Sequence, residues 1–255
     1  MNGLDLFSGI GGISIALEPW VQTVAYCERE RYAQGVLLSR MESGELDLAP
    51  IWDDVTTLRG EMLDVPIDII SAGFPCQDLS VAGLGKGLDG ERSGLFFQVA
   101  RLAEELRPSF LFLENVPAIR TRGAEVVCKT LASLGYDMRW TTITASSIGA
   151  KHRRERWFLL AHAQRKGSQG GIPVRTHQER EGEHGHARRS GSSLSPRGTL
   201  KPRPNCHKDF WATEPDVGRV VDGLPRRVER IKSLGNSVVP LQVQKAFEKL
   251  LTMKG

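Results

Sequence analysis

Residues 4–20, LDLFSGIGGISIALEPW, join two apolar runs through a turn that contains three glycines. This pattern predicts a strand, a tight turn and a helix in succession. Glycines allow the backbone to approach a ligand closely, and the free amides at a helix start attract negative groups. The spacing Gly9-x-Gly11-Gly12 is not the GxGxxG dinucleotide fingerprint, which argues against a dehydrogenase.

The first 162 residues alternate short apolar runs with amphipathic stretches. Such alternation predicts an α/β fold with a doubly wound, mostly parallel sheet and helices on both faces. Ligands bind at the carboxyl ends of the strands in sheets of this kind. The sequence places polar candidates near such ends: Glu28, Asp54, the PCQ of residues 75–77 and the ENV of residues 114–116.

Residues 163–210 differ in composition from the rest of the chain, being rich in Gly, Ser, Pro, Arg and His. They hold ten Lys or Arg residues against four acidic ones, whereas the whole chain carries a net charge of +4. This balance indicates either a polyanionic partner or a solvated, partly disordered insertion. The chain therefore divides into residues 1–162, an insertion at 163–210 and a return at 211–255 that ends in an amphipathic helix.

Cysteine usage favours a reduced protein. The four cysteines form no CxxC pair, and the chain runs from Met1 into LDLFSGIGG without a charged and apolar leader. We therefore expect a cytoplasmic location, and no membrane partner, since no apolar run approaches the length of a bilayer span. No metal is expected either, because the nearest candidates match no standard zinc spacing: His184, His186, Cys206 and His207.

Cys76 lies in the loop GFPCQDLS, residues 73–80, directly after an apolar run that predicts a buried strand. Free cysteines usually lie in the core, so this placement needs a reason. One interpretation is a small residue in a turn, and the other is a nucleophile kept accessible at a strand end. The cysteine alone does not decide between them.

Five motifs follow one another along the chain: DLFSGIGG, GFPCQDLS, ENV, RRER at residues 153–156 and GNSVVP at residues 235–240. The series resembles that of the cytosine-C5 DNA methyltransferases over about residues 3–162 and 211–250. The resemblance implies a Rossmann-like, S-adenosylmethionine-dependent methyltransferase fold, in which the insertion forms a small irregular DNA-recognition lobe. It also implies an enzyme of bacterial or phage type that flips a cytosine out of double-stranded DNA and methylates its C5.

The chemistry explains the residue types of these motifs. Cytosine C5 is too weak a nucleophile to take a methyl group directly, and attack of the Cys76 thiolate at C6 would activate it. The resemblance assigns Glu114 as the group that donates to N3, a role that burial behind four apolar residues would favour. It places Arg154 and Arg156 at the base and at Glu114, and strand alternation would bring both to one face. Without the resemblance, RRER would be interpreted as a solvated charge run.

The resemblance further implies a set of residues around S-adenosylmethionine, with Phe7 at the adenine and Glu28 at the ribose. The complete set is Phe7, Ser8, Gly9, Ile10, Gly11, Gly12, Glu28, Asp54, Val55, Pro75, Asn236 and Ser237. Because the last two come from the other end of the chain, the C-terminal helix should dock beside the first strand. The sequence departs from the family pattern at Arg29, where an aromatic residue is frequent, and at His152, where glutamine is frequent.

Two other functions stay open at this point. A related branch of the family methylates tRNA, and the short insertion is compatible with an RNA substrate. A catalytically silent DNA-binding relative is the third alternative, although the four catalytic candidates argue against it. For the DNA enzyme we expect a role in restriction–modification or phage protection, with a restriction endonuclease acting separately.

Overall fold

The computed structural model of the chain describes residues 1–75, 94–164 and 227–253. Seven strands form one sheet in this part of the chain: β1 (Asn2–Leu6), β2 (Gln22–Cys27), β3 (Ile51–Trp52), β4 (Ile69–Gly73), β5 (Phe110–Asn115), β6 (Tyr136–Thr144) and β7 (Glu155–Ala163). The α-helices are α1 (Gly12–Leu17), α2 (Arg31–Glu42), α3 (Leu95–Leu106), α4 (Ile119–Arg122), α5 (Ala124–Ser133), α6 (Arg227–Asn236) and α7 (Pro240–Thr252). Two single 3-10 turns span Gly60–Met62 and Ala145–Ile148.

The strand order is β3-β2-β1-β4-β5-β7-β6. The strands β1 to β5 are parallel to one another, whereas β7 runs antiparallel to both β5 and β6. The prediction of a mostly parallel α/β sheet is therefore confirmed. The chain reverses its direction of winding between β1 and β4, and in such sheets the crevice at this switch point is where ligands bind.

Hydrophobic clusters cover both faces of the sheet. In β5, Leu111 and Leu113 point into the cluster formed with α3 and α5, whereas Phe112 points into the cluster formed with α1 and α7. All three side chains are fully buried. This accounts for the continuous apolar run FLFL, because a strand covered on both faces needs no polar side.

The C-terminal helix α7 begins with Pro240 in its first turn, a position where the missing N–H of proline costs nothing. Its buried face, which includes Val243 and Phe247, packs mainly on α1 and on the antiparallel pair β6 and β7. The helix thus lies against the helix that follows the first strand, and not beside the strand itself.

No helix in the described ranges is long and apolar enough to cross a membrane. The expected recognition insertion, apart from residues 163 and 164, lies outside the described residues, as do the four candidate zinc ligands and Cys76. The division into three segments stays a prediction.

We expect Phe247→Ala to lower the free energy of unfolding by about 3–5 kcal/mol, because it removes a fully buried ring and leaves a cavity. Phe247 lies 5.3 Å from the ring centroids of both Phe112 and Trp20, so the loss would loosen α7 from the sheet. Urea unfolding of the variant measures the change. Leu48→Ala is the control, since Leu48 is 88% exposed and its loss should cost less than about 0.5 kcal/mol. Equal effects of the two substitutions would contradict the packing described.

Candidate active site

The turn after β1 has an unusual backbone. Phe7, Gly9 and Gly11 all have positive φ angles, of 55°, 54° and 83°. A side chain on Gly11 would also collide with Leu46, whose Cδ1 lies 2.6 Å from the position of a Cβ. Glycine adopts positive φ angles readily, whereas Phe7 carries a Cβ, and its conformation costs on the order of 1–3 kcal/mol. Strain of this kind concentrates at ligand sites, and Phe7 borders the cleft described below.

Beneath this turn, Asp5 is almost completely buried. Its two carboxylate oxygens accept hydrogen bonds from Ser71 Oγ of β4 at 2.6 Å and from Ser14 Oγ of α1 at 2.8 Å. Burial raises the pKa of Asp5 to about 6, although the hydrogen bonds from the serine hydroxyls lower it. One carboxyl group therefore links β1, α1 and β4 at the switch point of the sheet.

Glu28 follows β2 and closes the same turn from the side. Its carboxylate accepts a hydrogen bond from the backbone N–H of Gly9 at 2.7 Å and another from that of Glu30 at 2.7 Å. These contacts orient the carboxylate, and each oxygen retains a lone pair that could accept a hydroxyl group. The position suits the ribose contact that the family pattern implies for Glu28.

Asp54 and Val55 follow β3 at the next strand end. The Asp54 carboxylate accepts the backbone N–H of Thr56 at 2.9 Å and its hydroxyl at 2.7 Å, and these hydrogen bonds hold the pKa of Asp54 below its usual value. Val55 is buried, and its carbonyl accepts a hydrogen bond from Arg101 at 2.9 Å. The two residues form a fixed, negatively charged edge of the cleft.

Glu114 ends β5 and lies in register with Gly73 of β4. Its Oε2 is 3.3 Å from where a Cβ of Gly73 would stand, and its Oε1 is 3.0 Å from Nε of Arg156. Only 11% of the Glu114 side chain is exposed. Burial raises the pKa of Glu114 to about 7, although the guanidinium groups of Arg156 and Arg154 lower it. Burial thus keeps the acid form populated near neutral pH, where the carboxyl group can donate a proton.

Asn115 is a site residue that the sequence argument did not single out. Its Nδ2 donates to the carbonyl of Phe74 at 2.8 Å, while its Oδ1 accepts the backbone N–H of Val116 at 2.8 Å. Phe74 and Pro75 are the last described residues before Cys76. Asn115 therefore fixes the backbone that leads to the candidate nucleophile, and the ENV motif was its only signal in the sequence.

The two arginines of RRER lie in different surroundings. Arg156 is in β7 and contacts Glu114, and its Nη1 also donates to the carbonyl of Glu155 at 2.8 Å. Arg154 precedes the strand with a φ of 21°, and its guanidinium donates to the carbonyls of Gly235 and Ser237. The structure thus differs from the prediction that strand alternation brings both side chains to one face, because β7 begins only at Glu155.

A cleft of about 1420 Å³ collects most of the candidate residues. Those that line it are Phe7, Ser8, Gly9, Ile10, Gly12, Glu28, Asp54, Val55, Pro75, Glu114, Arg156 and Ser237. Gly11 lies behind the turn as the N-cap of α1, and Asn236 is the last residue of α6. Arg154 is not part of the lining in the described ranges.

The far wall of the cleft comes from the C-terminal part of the chain. Val238 lies so close to Gly12 that a Cβ there would be 2.7 Å from its Cγ2, which explains why this position is a glycine. Lys232 of α6 forms an ion pair with Glu30 at 2.8 Å. The cleft also has a charged rim, formed by Arg29, Glu30 and Lys232. The motifs indicated only Arg29 of this rim, through its departure from the family pattern.

A family model described as C-5 cytosine-specific DNA methylase matches residues 1–217. The chain belongs to this family. S-adenosylmethionine is the methyl donor that membership implies, and the cleft fits it. The turn at Gly9 borders open space, since no described atom lies within 4 Å of a Cβ built there, and carboxylates stand on both sides of it.

Relatives in the family include the Type II methyltransferase M.CviJI of Paramecium bursaria Chlorella virus IL3A, 40% identical over 159 residues, or 62% of this chain and 42% of the relative. The Type II methyltransferase M.HhaI of Haemophilus parahaemolyticus is 34% identical over 162 residues, or 62% and 47% of the two chains. The chain spans about half the length of the curated relatives that it matches.

Solved structures with the same fold include a protein described as a DNA modification methyltransferase encoded within a prophage of E. coli. It is 28% identical, with a TM-score of 0.52, and the match covers 64% of this chain and 47% of that one. The S. pombe Dnmt2 methyltransferase shares the fold. It is 23% identical, with a TM-score of 0.52, and the match covers 66% of this chain and 52% of that one. These neighbours support the methyltransferase fold predicted from the motifs.

Ser71→Ala tests the buried carboxyl group of Asp5. Because the pKa of Asp5 is about 6 in the folded chain against an ordinary 3.8, the free energy of unfolding falls as pH rises through that window. Loss of the Ser71 hydroxyl raises the pKa of Asp5 further and enlarges that fall. We expect a loss of about 1 kcal/mol at pH 5, where Asp5 is mostly protonated, and about 2 kcal/mol at pH 8.

Urea unfolding at the two pH values measures this difference. In an Asp5→Asn background the same Ser71→Ala substitution should cost equal amounts at both pH values. A cost that still depends on pH in that background would assign the effect to another group.

Proposed function

We propose that this chain is a DNA methyltransferase that transfers a methyl group from S-adenosylmethionine to C5 of a flipped-out cytosine in double-stranded DNA. The observation that carries the proposal is the buried Glu114–Arg156 pair, which lies at the end of β5 beside the strand end that leads to Cys76. A carboxyl group whose acid form is favoured by burial, held by a guanidinium, is suited to a base that gains electron density at N3 and O2.

Cys76 is proposed as the nucleophile. Its thiolate Sγ forms a bond to C6 of the cytosine, and the electron pair of the C5–C6 double bond moves toward N3 and makes C5 nucleophilic. The position of Cys76 lies outside the described residues, so its role rests on the motif and on the backbone before it. Asn115 holds that backbone through the carbonyl of Phe74.

Glu114 is proposed to protonate or hydrogen-bond N3 as this electron density arrives. Its surroundings suit that role because burial keeps the acid form populated near neutral pH. A flipped base entering the cleft would exclude more water and favour the acid form further.

Arg156 is proposed to stabilise the negative charge on O2. A guanidinium carries more N–H donors than its contacts to Glu114 and Glu155 use, so Arg156 can hold the acid and the base together. When bound in the cleft, S-adenosylmethionine would supply an electrophilic methyl group to C5 and would leave as S-adenosylhomocysteine. Return of the N3 proton to Glu114 and loss of the C5 proton to water would then let the C5–C6 double bond re-form, which breaks the bond between Sγ and C6 and releases the Cys76 thiolate.

The cofactor residues follow from the same cleft. Phe7 is proposed to contact the adenine, Glu28 the ribose hydroxyls, and Asp54 with Val55 the adenine edge. Backbone amides from Ser8 to Gly12 would face the amino-acid moiety, with Pro75, Asn236 and Ser237 completing the pocket.

Relatives named Type II methyltransferases favour a role in restriction–modification, or in protection of phage DNA, with a separate endonuclease acting on the same site. A tRNA cytosine-5 methyltransferase is the second candidate, because the catalytic chemistry is the same on either nucleic acid. A silent DNA-binding relative is the third.

The test is transfer of labelled methyl from S-adenosylmethionine to unmethylated genomic DNA, with tRNA in parallel, followed by bisulfite sequencing of the DNA. Methylated cytosines in one short sequence context would support the proposal. Label in tRNA alone would identify RNA as the substrate. Binding of S-adenosylmethionine without methyl transfer would support the catalytically silent DNA-binding relative. Cys76→Ala should abolish transfer and retain cofactor binding.

Glu114→Gln should remove the alkaline decline of kcat/KM. The acid form is active in this mechanism, so wild-type kcat/KM should fall as pH rises above about 7, while ionisation of Cys76 acts in the opposite direction. We expect the variant to be slower by on the order of 10²-fold and to show no such decline.

Rates between about pH 5.5 and 9 measure this profile. Glu155→Gln is the matched control, because Glu155 is one residue away from Arg156 and contacts it only through its backbone carbonyl. If kcat/KM of Glu114→Gln declined with rising pH as it does in the unchanged chain, Glu114 would not be the titrating acid.

A further inference from the structure

Arg154 is bound to the C-terminal part of the chain through both its side chain and its backbone. Its Nη1 and Nη2 donate to the carbonyl of Gly235 at 3.0 and 3.1 Å, and Nη2 also donates to the carbonyl of Ser237. The carbonyl of Arg154 accepts a hydrogen bond from Nε2 of Gln242, a fully buried side chain of α7, at 2.8 Å. This residue therefore joins the start of β7 to the segment that runs from the end of α6 toward α7.

That segment, Gly235 to Val238, is the far wall of the cleft. Gly235, Ser237 and Val238 all line it, and Val238 contacts Gly12 in the turn after β1. The position of this wall determines the width of the cleft opposite the glycine turn, where the proposed function places the amino-acid moiety of the cofactor.

The helix α6 leads into this wall. None of the α6 side chains whose burial is described is buried, whereas α7 buries five residues. The polar contacts of α6 and the wall with the rest of the domain include the Lys232–Glu30 ion pair and the hydrogen bonds from Arg154. An exposed ion pair such as Lys232–Glu30 contributes little, so the half-buried Arg154 is the stronger of these two attachments.

The positive φ of Arg154 fits this role. At 21° it places the residue outside the strand geometry of β7, and Arg154 does not line the cleft in the described ranges, whereas Arg156, two positions later, does. A bulky side chain adopts such a backbone only where its surroundings hold it there. The contacts to Gly235, Ser237 and Gln242 are the surroundings that do so.

We propose that Arg154 is a positioning residue for the cofactor site, which holds the Gly235–Val238 wall against β7, while Arg156 alone faces the base. The inference rests on the proposed function and changes the role of Arg154 from a base contact to a positioning residue. Two arginines that are two positions apart then have separate tasks, one at the Gly235–Val238 wall and the other at the base.

Arg154→Met retains the aliphatic stem and removes both carbonyl contacts. We expect it to raise the Kd of S-adenosylmethionine, measured by calorimetry without DNA, by about tenfold, since hydrogen bonds from a charged donor are lost. In methyl transfer the KM for S-adenosylmethionine should rise more than kcat falls. Arg154→Lys, which can reach one carbonyl at a time, should recover part of the affinity.

Two neighbouring arginines provide the comparison. Arg153→Met is the matched control, because the Arg153 side chain is 83% exposed and should leave Kd, KM and kcat unchanged. Arg156→Met should lower kcat strongly and leave the Kd of S-adenosylmethionine near that of the unchanged chain. If Arg154→Met instead lowers kcat with Kd unaltered, Arg154 is a base contact and the inference is wrong.

Amide hydrogen exchange separates this inference from the proposed function. Peptides covering residues 233–239 should exchange faster in Arg154→Met than in Arg153→Met, with β4 peptides unchanged as the folding reference. If Arg154→Met weakens S-adenosylmethionine binding but the unchanged chain methylates no nucleic acid, the proposed activity is wrong and the inference about Arg154 stands. Unaltered exchange at 233–239 would overturn the inference whatever the activity.

Discussion

The hydrogen bonds of Asp5 determine how the site is assembled. A buried carboxyl group is costly in an apolar core, and this one is tolerated because Ser14 and Ser71 donate to it. Since the two serines belong to α1 and β4, the group ties together the first helix and the two strands that flank the switch point. The glycine turn, the end of β4 and the wall contributed by Val238 are all placed relative to this link.

The same competition between burial and charge sets the chemistry at Glu114. Two guanidinium groups favour the ionised carboxylate, and the low polarity behind FLFL favours the acid. Burial is the larger effect, so the pKa lies near 7 and either form is accessible at neutral pH. A fully exposed Glu–Arg pair at the same separation would remain ionised and could not act as a proton donor.

Local patterns predicted much of the framework. The apolar runs mark β4, β5 and β7 and the helix α3, because their periodicity depends only on neighbouring residues. Glu28 and Glu114 could be placed together because parallel strands end at one edge. The direction of Arg154 could not be predicted, since it depends on one backbone angle and on carbonyls more than 80 positions away. The bond from Asn115 to Phe74 also joins two distant loops, and no periodic pattern reports such contacts.

The contact between Gly12 and Val238 bears on how the protein folds. It joins a turn formed early in the sequence to a segment formed late, so the sheet and its first helices can collapse before the cleft has its far wall. Closing such a long loop is entropically slow compared with forming local helices. The pocket is therefore complete only after the C-terminal segment has docked, and cofactor binding comes after this last step of assembly.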